Sequence, residues 1–468
     1  MRITATLAVL LASAIALPAT AQTLRPDQSA FRALYKELVE TNTTLSVGSC
    51  TDAAAKMGAR LKAAGFSEAD ITYFATPEHP KEGGVVAILK GSDAKIKPML
   101  LLAHIDVVEA RREDWTRDPF TLIEEDGFFY ARGTSDDKAQ AAIFTDAMIR
   151  FKQSNYKPKR TIKLALTCGE ETTYAFNGAE WLTKNKPDLI AADFAINEGG
   201  GGVLDASGKR VTLAMQVGEK AVQNYRIEAT NPGGHSSRPV PDNAIYELAE
   251  ALRAVRAYEF PITFTDTTRA FFTQTGKAMG GEMASAITAL LANPKDVAAD
   301  KIVSGNATFH STLRTTCVAT LLDGGHANNA LPQRAGANVN CRIFPGENGE
   351  TTKAALIAAI NNPKVKVTLT PPVRPLAAPP PLDPKIMGPA ESLAKKYFPG
   401  VPLTPLMSTG ATDGIFLEAI GIPTYGVPGV FGEADFNGVH GLNERMRARS
   451  LYEGRDYLFD LIKLYAAK

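Results

Sequence analysis

The chain has little histidine and little cysteine: six of the first and four of the second in 468 residues. It has no block of basic residues and no acidic tail. Net charge is +1 with both signs interspersed, so nothing points to nucleic acid as a partner or to a disordered interaction tail. It has no internal repeat. Beyond its N-terminus it has no apolar run long enough to cross a membrane, and the N-terminal run, residues 3–17, falls short of the roughly 20 residues a spanning helix needs. That run follows Met1-Arg2 and precedes Pro18-Ala19-Thr20-Ala21-Gln22, with small residues where a signal peptidase reads. The pattern predicts a secretory signal over 1–21, cleaved after Ala21, rather than a buried helix. No cysteine stands at the cut, so no lipid anchor is expected. The mature protein is expected to be exported, to the periplasm of a Gram-negative bacterium or beyond. Export permits disulfides. Cys317 and Cys341 fall in two candidate strands and could be bridged; two free buried thiols suit the sequence equally.

What is present is a core. The chain is 45% hydrophobic, ample for a packed core, and its 468 residues exceed what one core usually holds, which favours two domains. "QSAFRALYKELVE" and "CTDAAAKMGARLKAAG" carry helical apolar spacing. "GGVVAILKG", "KPMLLLAHIDVV", "KRTIKLALTCGEE" and "AADFAINEGG" read as strands, the second apolar throughout, as in a sheet covered on both faces, and the third another buried strand whose apolar run spans 162–167. "DDKAQAAIFTDAMIRFKQ" and "NGAEWLTKN" read as helices between them. Alternation of this kind predicts an α/β layered domain. Near residue 218 the pattern changes. "AVQNYRIEATN", "STLRTTCVATLLDGG", "RAGANVNCRIF" and "KVKVTLT" alternate like half-exposed strands. "PDNAIYELAEALRAVRA" and "TTKAALIAAINN" are amphipathic helices, and a further helical region spans about 278–293. This reads as a small α+β sandwich over 217–372, closed by the proline-rich connector "PPVRPLAAPPPLDP". Helical and strand signals then resume to the C-terminus. The small domain is therefore expected as an insertion in the larger one, which comprises 22–216 and 373–468.

Open α/β sheets place their sites at strand ends. There stand His104 and Asp106 in "LLAHIDVV", Glu170 and Glu171 in "TCGEE", and Glu198 in "AINEGG". Asp136 and Asp137 precede a helix in "GTSDDK", and His440 lies in "GVHGLNER". Singly, each has a plainer explanation. A His-x-Asp is more often a core hydrogen-bond pair, an Asp-Asp before a helix more often a cap, and a Glu-Glu pair more often a solvated surface. Together they are harder to dismiss, because so many carboxylates would repel without cations and two of only six histidines join them. Mixed imidazole and carboxylate donors suit zinc, with cobalt or manganese as alternatives.

The ordered set "HIDVV", "GTSDDK", "GEE", "NEGG", "PGGHSS", "NALP", "CRIFPG", "GATD" and "HGLNE" resembles the M20 family of co-catalytic zinc metallopeptidases, over nearly the whole mature chain. The N-terminal half is most similar to its carboxypeptidase S branch. The resemblance implies a mixed-sheet zinc-exopeptidase catalytic domain with an inserted ferredoxin-like lid. It implies two Zn²⁺ per chain. His104, Asp136 and Glu198 would hold one ion and His440, Glu171 and the bridging Asp136 the other. Asp106 would orient His104, and Asp137 would follow Asp136 through the family's cis peptide. Glu170 matches the general base, which takes a proton from a metal-acidified water and hands it to the leaving amine. His235 resembles the lid histidine that steadies the oxyanion, supplied in dimeric members by the partner's lid. Asn329, Arg342 and Gly410 match groups that hold a substrate carboxylate, for which the planar fork of arginine is suited. Asp413, in the same loop as Gly410, reads equally as a functional residue there and as a turn or cap residue. Ala131 and Ala139 stand where the family often has glycine, which bears on loop geometry and on no ligand.

The expected activity is hydrolysis of an amide beside a C-terminal amino acid with a free carboxylate, in a short peptide or an N-acyl amino acid. The rivals are a dipeptidase or aminopeptidase that reads a free amine, a single-metal enzyme, and a binding protein on the same fold. A binder has no need of Glu170.

Overall fold

The two unbroken apolar runs lie side by side. In the computed structural model, strands Met99–His104 and Ile162–Thr167 pair in parallel, with His104 opposite Thr167. The structure describes residues 24–172, 175–427 and 429–467; the signal read at 1–21 lies outside the described residues. Side chains alternate across a strand. Met99, Leu101 and Ala103 therefore pack with helices Pro26–Val39, Cys50–Ala63, Lys138–Gln153, Pro384–Tyr397 and Ala448–Ala466. Leu100 and Leu102 pack on the opposite face with helices Gly178–Asn185 and Gly414–Ala419. Burial on both faces explains why these strands lack polar alternation.

The sheet has ten strands. Its parallel centre adds Phe194–Asn197 and Thr424–Gly426 to the first two. A hairpin, Ile71–Thr76 and His79–Leu89, extends it antiparallel at one end. Arg210–Glu219, Gly201–Leu204, Leu403–Ser408 and Phe431–Gly432 extend it at the other.

Arg210–Glu219 is the last main-sheet strand before the inserted region. Only Lys220 separates it from Ala221–Thr230, the first strand of a second sheet. That sheet is antiparallel, in the order Thr316–Gly324, Arg334–Ile343, Ala221–Thr230, Val365–Thr370. Helices Ala244–Ala257 and Gly349–Ile360 cover one face, where Tyr225, Ile227, Leu248, Val339 and Leu356 form a separate core. The order βαββαβ is the ferredoxin-like arrangement. The connector of residues 371–383 returns the chain to the main domain without regular structure and is held by Gln223, whose Nε2 donates to the carbonyl of Thr370 at 2.8 Å.

Two features differ from the sequence reading. The helical stretch expected at 278–293 is the helix Gly281–Ala292, but a helix not expected from sequence, Asp266–Met279, precedes it across Gly280 at φ 68°. With Val297–Val303 and Ala307–Leu313 they bury Phe272, Ile287, Leu290 and Leu313 in a core of their own. The insertion is therefore larger than a six-element sandwich. The cysteines are also all bridged. Cys317 and Cys341 face each other in register on adjacent strands and form a disulfide, and Cys50 pairs with Cys168 across 118 residues. The free-thiol alternative for the first pair is thus overturned. The second pair carried no sequence signal, because its partners meet only once a helix N-terminus docks on a strand end.

Candidate active site

Parallel strands deliver their C-terminal ends to one edge, and the polar residues begin where each strand stops. His104 is the last residue of its strand. Beside it the chain leaves Thr167 through Cys168-Gly169 into Glu170-Glu171, and the next strand leaves Asn197 into Glu198. Gly169 sits at φ 96°, and a Cβ there would lie 1.8 Å from the carbonyl oxygen of Phe176, so only glycine fits this turn. The turn is tied down from below: Asp106 accepts the backbone N–H of Glu171 at 3.0 Å and of Glu170 at 3.4 Å.

Two donor groups converge on Asp136. Its Oδ1 lies 3.1 Å from Nε2 of His104, and its Oδ2 lies 3.2 Å from Nε2 of His440. Glu198 approaches the His104 ring at 3.7 Å, and Glu171 approaches the His440 ring at 2.9 Å. Donors about 2.0–2.2 Å from a tetrahedral metal stand roughly 3.3–3.5 Å from one another. The spacings of 2.9–3.7 Å therefore suit two ions that share Asp136. The Asp136–Asp137 peptide is cis. Nδ1 of His104 faces the backbone oxygen of Asp106 at 3.1 Å and its carboxylate at 3.5 Å, which leaves Nε2 for the centre. Oε1 of Glu198 is buried without a hydrogen-bond partner, as a ligating oxygen would be. Glu170 has a carboxylate oxygen grouped with the donor atoms of His104 and Glu198, all within 4.8 Å of one another.

The electrostatics ask for positive charge. Burial, then repulsion from Glu198, pushes Glu170 well above the usual carboxyl range. Burial lifts Glu198 to about 7. Hydrogen bonds that the ring donates to Asp136 and Glu171 raise His440 to about 10. Burial opposes charge on His104, but Glu198, Asp106 and Asp136 overcome it and hold the ring well above its ordinary value. The imidazoles thus supply cationic charge to the carboxylates, and divalent ions on the same donors would supply more.

Two supports were not assigned from sequence. Glu444, within "HGLNE", is buried, pairs with buried Arg132 at 2.9 Å, and accepts the backbone N–H groups of Gly133, Ser135 and Asp136 at 2.8–3.1 Å. It holds the loop that carries Asp136. Asp413, which reads equally as functional or as turn or cap, is buried and accepts Nδ2 of Asn177 at 2.6 Å and Oγ1 of Thr167 at 3.1 Å. Asn177 also donates to the carbonyl of Gly169, so Asp413 steadies the Glu170 turn from behind. A buried acid inside a quoted motif was the available signal in both cases.

The remaining candidates divide into two places. Arg342 lies on the inserted sheet opposite Val222 and Thr316, close to its junction with the main domain. Among the described residues its guanidinium has no carboxylate partner, and burial lowers its pKa. It acts on Lys220, whose amine is brought down to about 7 by burial and then by Arg342. The N–H of Lys220 donates to the carbonyl of Ser408 at 3.0 Å, and Oγ of Ser408 accepts the N–H of Gly410 at 3.1 Å. Arg342 and the Gly410 loop are thus linked through one residue. His235 and Asn329 are elsewhere. His235 is exposed on the short ribbon Gly234–His235 with Ala330–Leu331, and Asn329 precedes that ribbon. The ribbon follows Thr230, at the end of the sheet opposite to Ala221. Nine residues of strand, at ~3.3 Å each, put it roughly 30 Å from the junction. Among the described residues neither has a hydrogen bond or ion pair to a residue of the His104 centre; His235 bonds Ser237, and Asn329 accepts the N–H of Ser236.

Comparison with known proteins agrees with this architecture. Residues 100–464 match the family model described as Peptidase family M20/M25/M40. The human N-fatty-acyl-amino acid synthase/hydrolase PM20D1 is 28% identical over 435 residues, covering 91% of this chain and 85% of that protein. The M20 family metallo-carboxypeptidase Sso-CP2 from Sulfolobus solfataricus superposes with a TM-score of 0.70 at 20% identity, over 95% of this chain and all of that one. A dinuclear metal-binding M20 peptidase from Bacillus subtilis superposes at 0.58 and 13% identity, over 93% and 98%. With its strand-end donors, its inserted sheet and a family match over most of its length, the chain belongs to the metal-dependent hydrolases of peptidase family M20/M25/M40.

Proposed function

We propose that the chain hydrolyses an amide beside a C-terminal amino acid with a free carboxylate, in a short peptide or an N-acyl amino acid, with two zinc ions as cofactors. The observation that carries this reading is Asp136, whose two oxygens each face a different imidazole. His104 and Glu198 would complete one ion, and His440 and Glu171 the other, with cobalt or manganese as substitutes. When bound, the ions would supply an acidified water and a polarised carbonyl. Glu170, which has no assigned ligand role, takes the proton of the attacking water and returns it to the leaving nitrogen. Its buried position favours holding that proton between the two transfers. Asp106 fixes the His104 tautomer from behind. Arg342, with no carboxylate of its own, and the Gly410 loop bind the substrate carboxylate.

The exposed place of His235 on a ribbon at the strand end away from the domain junction supports a homodimer in which each lid serves the partner's site. Strand Thr316–Gly324 is an edge of the inserted sheet and exposes Val318, Leu321 and Leu322 by 60–71%, a surface suited to such pairing. Export is supported by the signal-like N-terminal sequence expected over 1–21 and by two disulfides with no free thiol. No helix among the described residues is long and apolar enough to cross a membrane.

The test is a panel of dipeptides and N-acyl amino acids with free and blocked ends, on wild type and Arg342→Ala. Hydrolysis should require the free carboxylate. Arg342→Ala should raise KM and lower kcat/KM roughly tenfold to a hundredfold, the scale of a lost charge-assisted contact. Cleavage indifferent to a blocked C-terminus contradicts the reading, and dependence on a free amine would indicate a dipeptidase instead.

A further inference from the structure

We infer that Lys220 is a positioning residue that sets selectivity for a free substrate carboxylate, by fixing Arg342 of the inserted sheet against the Gly410 loop of the main domain. The inference deepens the carboxylate reading above and rests on it. Lys220 is the one residue between the main-sheet strand Arg210–Glu219 and the inserted strand Ala221–Thr230. Its side chain is fully buried. An ammonium has three N–H donors and no acceptor. Three oxygens lie within its reach, none of them charged: the carbonyl of Arg314 at 2.6 Å, Oγ of Ser311 at 3.2 Å and Oγ1 of Thr316 at 3.5 Å. Among the described residues Lys220 forms no ion pair. A buried charge without a counter-charge lowers stability, so packing alone does not account for a lysine here.

The side chain and the main chain of Lys220 hold different domains. All three acceptors of the ammonium belong to the insertion. Ser311 lies in helix Ala307–Leu313, Arg314 follows that helix, and Thr316 opens strand Thr316–Gly324 directly opposite Arg342. Arg342 also stands opposite Val222, two residues on from Lys220. Residues in register share a face of a sheet, so the ammonium meets the inserted sheet on the face that carries Arg342. The backbone N–H of Lys220 instead donates to the carbonyl of Ser408 at 3.0 Å, and Oγ of Ser408 accepts the N–H of Gly410 at 3.1 Å. Its neighbour Glu219, also buried, accepts Oγ1 of Thr412 at 2.8 Å and the N–H of Ile415 at 3.1 Å. One dipeptide thus grips the Gly410 loop at both ends, and its lysine grips the strand beside Arg342. The two halves of the carboxylate site come from separate domains, and this is the point where one side chain fixes their relative position.

The experiment is kcat/KM of the full chain for one N-acyl amino acid and for its C-terminal amide. The readout is the acid-to-amide ratio on one preparation, which does not depend on the fraction folded. The variants are Lys220→Met, which keeps the stem and loses the N–H donors, the milder Lys220→Gln, and each of these combined with Arg342→Ala. The main-chain bond to Ser408 survives every one of them. Lys220→Met should cut the ratio roughly tenfold, mainly through KM for the acid, and Lys220→Gln about threefold, the scale of displacing one charge-assisted contact. In the Arg342→Ala background both should change the ratio less than about twofold, because no guanidinium is left to place. A wild-type ratio in Lys220→Met overturns the inference, as does one in Lys220→Gln if the Met variant is insoluble. An equal fall with and without Arg342 also overturns it, since Lys220 would then act by another route. If wild type itself cleaves acid and amide alike, it is the carboxylate reading that fails, and the inference with it.

Discussion

The carboxylate of Asp106 accepts the backbone N–H of Glu171 at 3.0 Å while standing 3.5 Å from Nδ1 of His104. One buried side chain thus positions an imidazole on one strand end and the glutamate pair on its neighbour. Burial alone would raise its pKa, but hydrogen bonding and attraction to His104 bring it below the ordinary value. Asp106→Asn preserves the shape and removes the charge. It should weaken divalent-metal binding by roughly 10–100-fold, the usual cost of altering a group behind a histidine ligand. Competition with a chelator measures this, and unchanged affinity would mean that Asp106 serves folding alone.

Arg132 and Glu444 form a buried pair at 2.9 Å that also anchors the N–H groups of Gly133, Ser135 and Asp136. Glu444→Ala leaves a buried guanidinium without its counter-charge, still bonded to the carbonyl of Gly441 at 2.9 Å, and frees three backbone donors. The expected loss is about 3–5 kcal/mol of stability, read by denaturant unfolding, with weaker metal binding because the Asp136 loop is released. A loss within 0.5 kcal/mol would contradict this role.

Glu418 gives a pH prediction away from the centre. Burial, then repulsion from Glu219, pushes its folded-state pKa up to about 10 from an ordinary 4.5. The folded chain therefore keeps a proton that the unfolded chain has lost. That contribution is fully present below pH ~4.5 and is lost as pH rises towards 10. Thermal unfolding across this window should show Tm falling with pH, and Glu418→Gln should flatten the fall. An identical slope in the variant would remove Glu418 from the account.

Much of the main domain was legible because burial on both faces leaves unbroken apolar runs, such as 99–104 and 162–167, that cannot be half-exposed strands. The candidate donors were legible for the same reason: a carboxylate or imidazole directly after such a run stands out. The hairpin strand Ile71–Thr76 was not legible, since only its first and fourth residues are buried. Helix Asp266–Met279 was missed because it buries only one large apolar side chain, Phe272, beside Thr267, Thr268 and Gly276. Cys50–Cys168 and Glu444–Arg132 depend on contacts across 118 and 312 residues, and no local pattern reports such a meeting. The place of His235 and Asn329 beyond the Thr230 end of strand Ala221–Thr230 likewise follows from pairing between distant strands.

The central claim is a division of labour between neighbours: Glu171 ligates a metal and Glu170 serves the water. Elemental analysis of bound divalent metal per chain in wild type, Glu170→Gln and Glu171→Gln, with turnover assayed on the same samples, tests it most directly. The account predicts two ions in wild type, two in Glu170→Gln with turnover abolished, and one ion weakened or lost in Glu171→Gln. Metal lost from Glu170→Gln and retained in Glu171→Gln, or a fully active Glu170→Gln, would contradict it.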